Sequence, residues 1–352
     1  MNPKSVIQIY IPLPIEMARR DTFPLLKRYF GRGGVIKVPK VSHEIDQRIQ
    51  FCETLFEADL VILPMSWNYY YQQKLEKKLL SIIEDAAKQK AQVWSFTSGD
   101  YGVNIPYFSN LTVFRASGTK SKLPPTHIGL PSFIEDPVNF YFSDTWEFKQ
   151  YSKKPLVGFC GMANRSKLYA IEELTRISIR NLSYFMGISK ELPQSFIPST
   201  LRRAQLLMNL EKDAEINTHF IYRKKYRAGS VTKEERYQST LEFFQNIHNS
   251  QYILCFRGAG NFSVRFYETL AMGRIPIVVD TNGFFPLENA INWKKHAVWV
   301  PYNKRNKLAD FIVQFHQKHT PDSFVRFQES NRTLWEEKLT LEGFFNSLFN
   351  AN

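Results

Sequence analysis

Arg257-Gly258-Ala259-Gly260-Asn261-Phe262-Ser263-Val264-Arg265-Phe266-Tyr267-Glu268 gathers two cations, two glycines, a hydroxyl and a carboxylate into one short run. Before it, Tyr252-Ile253-Leu254-Cys255-Phe256 reads as a buried strand. After it, Ala271-Met272-Gly273-Arg274 leads into a second one, Ile275-Pro276-Ile277-Val278-Val279-Asp280. A glycine turn that opens a helix presents backbone N–H groups where a phosphate is favoured. Arg265 and Glu268, three residues apart, share one face of that helix. Guanidinium groups suit a diphosphate, and a carboxylate suits a pair of ribose hydroxyls. The expected roles are Arg257 and Arg265 on the diphosphate and Glu268 on the ribose. Ser263 and the backbone of Gly258 and Gly260 add phosphate hydrogen bonds, and Asn282 with Gly283 lines the sugar or base.

A dinucleotide site competes for the same residues. Gly258-Ala259-Gly260-Asn261-Phe262-Ser263 approaches G-x-G-x-x-G, and Asp280 stands about twenty residues on, where a ribose-binding acid belongs. Against hydride transfer, the third glycine is Ser263 and an arginine precedes the first. The unit also lies in the last third of the chain rather than opening a domain.

The pattern R-G-x-G-x-x-S-x-R-x-x-E followed by A-x-x-G-x-x-P-[IV] resembles the nucleotide-sugar site of the exostosin family of glycosyltransferases, family 47. Phe285-Pro286-Leu287-Glu288-Asn289-Ala290-Ile291-Asn292-Trp293 and Ala297-Val298-Trp299-Val300-Pro301 are similar to the segment that follows it in that family. Upstream, Glu57-Ala58-Asp59-Leu60-Val61-Ile62-Leu63-Pro64 resembles a strand of the family's first half. Ser98-Gly99-Asp100-Tyr101 resembles its G-R-D-H element, without the arginine and with Tyr101 in place of histidine. The likeness runs over roughly residues 50–345 and is strongest at 252–301.

The resemblance implies an α/β chain of two Rossmann-like domains facing a cleft, the GT-B architecture. Residues 1–150 would form the acceptor-side domain and 151–325 the donor-binding domain, with helices in 326–352 packing back on the first. It further implies an inverting transfer from a nucleotide diphosphate sugar, UDP by family habit, to a hydroxyl of a glycan or glycolipid acceptor. No cofactor is expected beyond that donor. Inversion requires a base on an exit loop of the first domain, and Asp100 is the leading candidate, with Glu16 and His127 outside it. Arg165, matching the arginine of the family's F-x-G … R element, would reach the donor from a second loop. No D-x-D triplet occurs to hold a metal ion, so the diphosphate is expected to meet arginines and helix N-termini. Gly260 occupies the position eight before Glu268 where retaining two-domain transferases carry a second glutamate. The competing class is a non-catalytic polyanion- or glycan-binding module on a decayed transferase fold. Retention of both Arg265 and Glu268 argues for the enzyme.

The elements that must position these residues alternate between strand and helix. Residues 6–11 read as a first strand, 45–57 as helix-like and 58–63 as a buried strand. Leu75, Leu79, Ile82, Ile83 and Ala86 sit at helical spacing within 70–90. Residues 93–96, 111–116 and 127–130 are further strands, and Ser98-Gly99-Asp100 is an exit loop. Such alternation predicts a mostly parallel sheet carrying ligands at its strand C-terminal ends. An irregular stretch, 131–154, reads as the crossing between domains. A strand at 155–161 then leads through Arg165 into a helix over 168–179. Residues 185–235 read as a charged segment ahead of a helix over 237–248. Residues 324–349 form an amphipathic helix pair that seeks a groove, with a membrane surface as the alternative.

At 352 residues the chain exceeds the usual limit for one core. Its formal net charge of +13 calls for an anionic partner: the nucleotide diphosphate, an anionic acceptor, or peripheral contact with an acidic membrane face. Nucleic acid is not expected, because no nucleic-acid motif accompanies the charge. Cys52, Cys160 and Cys255 are widely spaced and read as buried thiols of a reducing compartment. No run approaches the roughly 20 apolar residues of a membrane span. The expected location is therefore cytoplasmic, with the inner face of a membrane as a possible site of contact.

Overall fold

The computed structural model describes residues 6–16, 20–31, 43–142 and 146–351. Most of its strands are short runs of Val, Ile, Leu and aromatic residues buried on both faces, where polar alternation is lost. β1 (Ile7–Tyr10), β2 (Ile49–Cys52), β3 (Leu60–Ile62), β4 (Gln92–Phe96), β5 (Leu111–Arg115) and β6 (His127–Gly129) form one sheet in the order β2-β1-β3-β4-β5-β6. β7 (Leu156–Met162), β8 (Asn217–Arg223), β9 (Tyr252–Leu254), β10 (Ile275–Asp280) and β11 (Val298–Pro301) form a second, in the order β11-β10-β9-β7-β8. These strands pair in parallel throughout, so each connection must cross over a face of its sheet.

In the first sheet β2 and β3 flank β1 on opposite sides, and in the second β8 and β9 flank β7. At each of these places the winding reverses. Exit loops diverge there and leave a crevice at the carboxyl ends of the strands. Of the regions named from the sequence, 257–268 leaves β9 beside the second reversal, and 98–100 leaves β4, one strand beyond β3 at the first.

Helix Glu76–Lys88 covers one face of the first sheet with Leu79, Ile83 and Ala86. On the other face lie Phe344 and Phe345 of helix Leu341–Ala351, against Phe23, Trp94 and Phe114. Phe349 of the same helix stacks on Trp94 at 5.2 Å and 10°. Arg48 anchors it by donating to Asn346, Asn350 and the Phe349 carbonyl. One face of the second sheet receives Leu206, Leu207 and Leu210 of helix Ser199–Glu211 with Leu308 and Ile312 of Leu308–His316. The other takes helices Lys233–His248, Val264–Ala271 and Pro321–Lys338. Two doubly wound units sharing a cleft, with the last helix returned to the first, constitute the GT-B arrangement.

Three sequence expectations change. Residues 45–57 are edge strand β2 between two single 3-10 turns, because Ile49 to Cys52 pair with β1 across four positions. The charged segment 185–235 contains helix Ser199–Glu211 and edge strand β8, whose half-buried residues lack the apolar run that marks an inner strand. The segment 326–352 divides. Helix Pro321–Lys338 stays with the second sheet through Trp335 and the bond that Arg332 donates to the Ala271 carbonyl, and only Leu341–Ala351 crosses back.

Candidate active site

The strand β9 ends against a buried Cys255-Phe256, and the chain then turns through 257–263 into helix Val264–Ala271. The Gly258 N–H donates to the Phe262 carbonyl at 3.2 Å and closes the turn. Ser263 is the N-cap in extended backbone, and its hydroxyl makes no capping bond. A β-carbon on Gly258 would meet nothing within 4 Å, so this glycine faces open space. Gly260 is the opposite case. Its α-carbon lies against the backbone carbonyl of Asp100 and the Phe262 ring.

Beneath the turn lies a group of arginines. Arg257 is buried and donates to the Ala259 carbonyl at 3.1 Å. Arg203, from helix Ser199–Glu211, donates to the carbonyls of Met162 and Arg257. Arg265 donates to the Cys160 carbonyl at 2.7 Å and lies 4.3 Å from the Phe159 ring centre. These bonds go to carbonyl oxygens rather than carboxylates, and the Nε of each guanidinium is buried without a hydrogen bond. Burial lowers the pKa of all three: Arg203, which also lies near Arg265, falls to about 9. A guanidinium so buried still carries its charge at neutral pH. Glu268 lies one turn beyond Arg265, half-buried, and its charge acts on Arg265 and on the Cys255 thiol.

The other expected donor residues are dispersed. Arg165 is exposed and turned to Glu211, 3.4 Å away, near the Tyr222 ring. Asn282 adopts a left-handed backbone (φ 60°) and bonds Ser121 of the first domain through its amide, while its carbonyl accepts from the Lys120 N–H. Asp280, the acid of the dinucleotide reading, is engaged by the Asn282 N–H and the Trp299 indole. A pocket between the glycine turn and the exit of β10 is lined by Arg257, Asn261, Ser263, Tyr267, Asp280 and Phe284.

Opposite stands the first domain. Asp100 is exposed two residues past Ser98 in the exit loop of β4. Just after it, Val103 forms an antiparallel bridge to Glu191, so the second domain pins this loop. Asp21, from the exit of β1, accepts the hydroxyls of Ser66 at 2.5 Å and Ser98 at 2.6 Å. One carboxylate thereby ties the exit loops of β1, β3 and β4 together. Glu16 engages the Tyr69 phenol, which burial and this bond push up to about 12. His127 lies away from this cluster, buried in β6 with its Nδ1 3.0 Å from Arg115 Nη1. Burial and Arg115 push it down to about 3, so it stays neutral and is a poor base. Among the described residues, no three His, Cys, Asp or Glu side chains converge as a metal site.

Sequence reasoning passed over Asp21, Arg203 and Asn261. Asn261 is buried between the domains. Its N–H donates to Ser117 Oγ, its amide donates to the carbonyls of Gly118 and Thr281, and its oxygen accepts from the Thr281 hydroxyl. An asparagine inside a glycine turn was a visible signal, but its partners in the first domain lie 143 and 144 residues away. Nothing local announced Asp21 or Arg203.

A stretch of 90 residues is 27% identical to exostosin-1 of Drosophila melanogaster, covering 26% of this chain and 11% of that protein. The chain thus matches only a small part of that relative's length. Among solved structures, TarM aligns over 83% of this chain and 54% of its own, at 10% identity and a TM-score of 0.37. A mutant of S. aureus TarM in complex with fondaparinux, alpha-GlcNAc-glycerol and UDP aligns over 83% and 55%, at 11% identity and a TM-score of 0.36. The Exostosin GT47 domain model matches residues 57–315, well over half of the sequence, and the chain belongs to the exostosin GT47 family.

Proposed function

We propose that the chain is an inverting, metal-independent glycosyltransferase that moves a sugar from a nucleotide diphosphate, UDP foremost, to a hydroxyl of a glycan or glycolipid acceptor. One observation carries the reading. Arg203, Arg257 and Arg265 place buried positive charge, hydrogen-bonded to carbonyls, directly under a glycine turn at a helix N-terminus. Such a site favours a doubly charged diphosphate, both on binding and as a leaving group.

In this reading the turn and the start of helix Val264–Ala271 present N–H groups to the phosphates, with Arg257 closest to them. Arg265 and Arg203 act from below through their charge, since their hydrogen bonds are used in holding the carbonyls. Glu268 takes the ribose hydroxyls. Asp100 removes the acceptor proton as the acceptor oxygen attacks the anomeric carbon from the face opposite the departing diphosphate. Contact between its carbonyl and Gly260 keeps base and donor turn in register.

Thermal stabilisation by UDP, GDP, CDP, dTDP and NADH, with and without EDTA, tests this. One nucleoside diphosphate should stabilise the protein, EDTA should leave the shift unchanged, and Glu268→Ala should remove it. Asp100→Asn should keep the shift and lose turnover by about a hundredfold or more. Silence from every nucleoside diphosphate would end the donor reading, and full turnover in Asp100→Asn would end the assignment of the base.

A further inference from the structure

Eight of the sixteen exposed large apolar side chains among the described residues fall between positions 168 and 196. Helix Lys167–Phe185 carries Leu168, Ile171, Ile179 and Leu182 along one outward stripe, with Phe185, Met186 and Ile188 at its end. Leu168 is 79% exposed, Phe185 74% and Ile188 72%. Side chains so exposed project from the body instead of lining a groove. The turn that carries the last of them is made by Gly187 (φ 72°), beside which a β-carbon would meet nothing. The inner side of the helix is fully committed. Ala170 and Asn181 are buried, Glu173 accepts from Ser199 and Thr200, and Asn181 bonds the Gln194 backbone in both directions. The outer stripe is therefore not spare core.

Charge selects the occupant. Between 165 and 191 the chain has five basic residues (Arg165, Lys167, Arg176, Arg180, Lys190) and three acidic ones (Glu172, Glu173, Glu191), and the whole chain carries +13. A second copy would bring the same positive charge to the contact, whereas an anionic lipid surface complements it. An apolar stripe with Lys and Arg beside it is the composition of a helix that lies in a lipid interface. Position agrees. Arg180 lies 3.7 Å from the ring centre of Tyr101, next to Asp100, and pairs with Glu191, which is bridged to Val103. The helix thus runs along the rim of the cleft where the acceptor loop ends.

We propose that helix Lys167–Phe185 and the turn after it seat the chain on an anionic membrane surface. The cleft then opens toward a lipid-linked acceptor. That last step rests on the transferase reading, whereas the seating itself does not.

Flotation of the purified chain with phosphatidylcholine vesicles, with and without phosphatidylglycerol, tests the seating. The protein should float with the anionic vesicles and much less with neutral ones. Phe185→Ser with Ile188→Ser should weaken this about tenfold or more for each side chain removed. Phe56→Ser, at a residue still more exposed but on the first domain, should change little. Both variants alter surface side chains, so unchanged melting and unchanged nucleotide stabilisation separate loss of seating from loss of fold or donor site. No flotation, or equal flotation of the double variant, overturns the proposal. So does a concentration-dependent dimer, seen by light scattering, that the double variant dissociates, since the face would then join two copies.

Discussion

The α-carbon of Gly260 lies so close to the backbone carbonyl of Asp100 that a β-carbon there would overlap its oxygen. The donor turn and the loop of the candidate base are therefore one contact surface, although 160 positions separate them in the sequence. Gly260→Ala should push the two loops apart, cost about 1–3 kcal/mol of stability and lower turnover. Gly258→Ala should leave melting within about 0.5 kcal/mol, because a methyl there enters open space. It should instead weaken nucleotide stabilisation. Melting and nucleotide titration of the two variants check the contrast.

Asn261 joins the domains. Asn261→Ala strands the Gly118 and Thr281 carbonyls and the Thr281 hydroxyl in a buried place. A loss of about 1–3 kcal/mol is expected, with a donor KM that rises as the turn loosens. Denaturant unfolding and donor kinetics measure the two effects.

Asp21 holds Ser98 and Ser66 with one oxygen. Asp21→Asn keeps an acceptor oxygen for the two hydroxyls, whereas Asp21→Ala keeps none. If the carboxylate only positions the loop, Asp21→Asn should retain most turnover while Asp21→Ala loses about tenfold or more. Equal, large losses in both would assign Asp21 a role through its charge.

Acid should destabilise the chain through its buried histidines. His127 is pushed down to about 3 in the fold by burial and by Arg115, but protonates near 6.5 when unfolded. Between those values the unfolded state holds the extra proton, so the stabilisation is complete above 6.5 and declines as the pH falls toward 3. The slope is at most about 1.4 kcal/mol per pH unit for this group. His248, pushed down to about 4 chiefly by burial, adds to it in the upper part of the window. Melting measured from pH 7 to pH 5 should fall. His127→Asn, whose amide oxygen can still accept from Arg115, should flatten the decline.

Phe345 is fully buried in the first domain although it comes from the end of the chain. Phe345→Ala opens a cavity among Phe23, Trp94, Phe114 and Phe133, at a cost of about 3–5 kcal/mol. Loss of signal from the first domain before the second on heating would locate the damage.

Much of this molecule was legible in the residues themselves. Inner strands β3, β4, β7, β9 and β10 are apolar on both faces, and a short buried run announces itself without reference to anything distant. The glycine turn, with its flanking arginines and Glu268, is likewise local, because a turn, a helix start and an i, i+3 pair are all set within one span. Edge strands β2 and β8 escaped because one side of each lacks a neighbour and their half-polar sequences match helix or loop equally well. The division of 326–352 also escaped, since an apolar stripe states that a helix is covered but not by which sheet. Asp21, Arg203 and Asn261 enter the site only through folding. Hydrogen bonds join them to residues 20 to 144 positions away, and no local spacing can encode a partner that only the packed domains bring near.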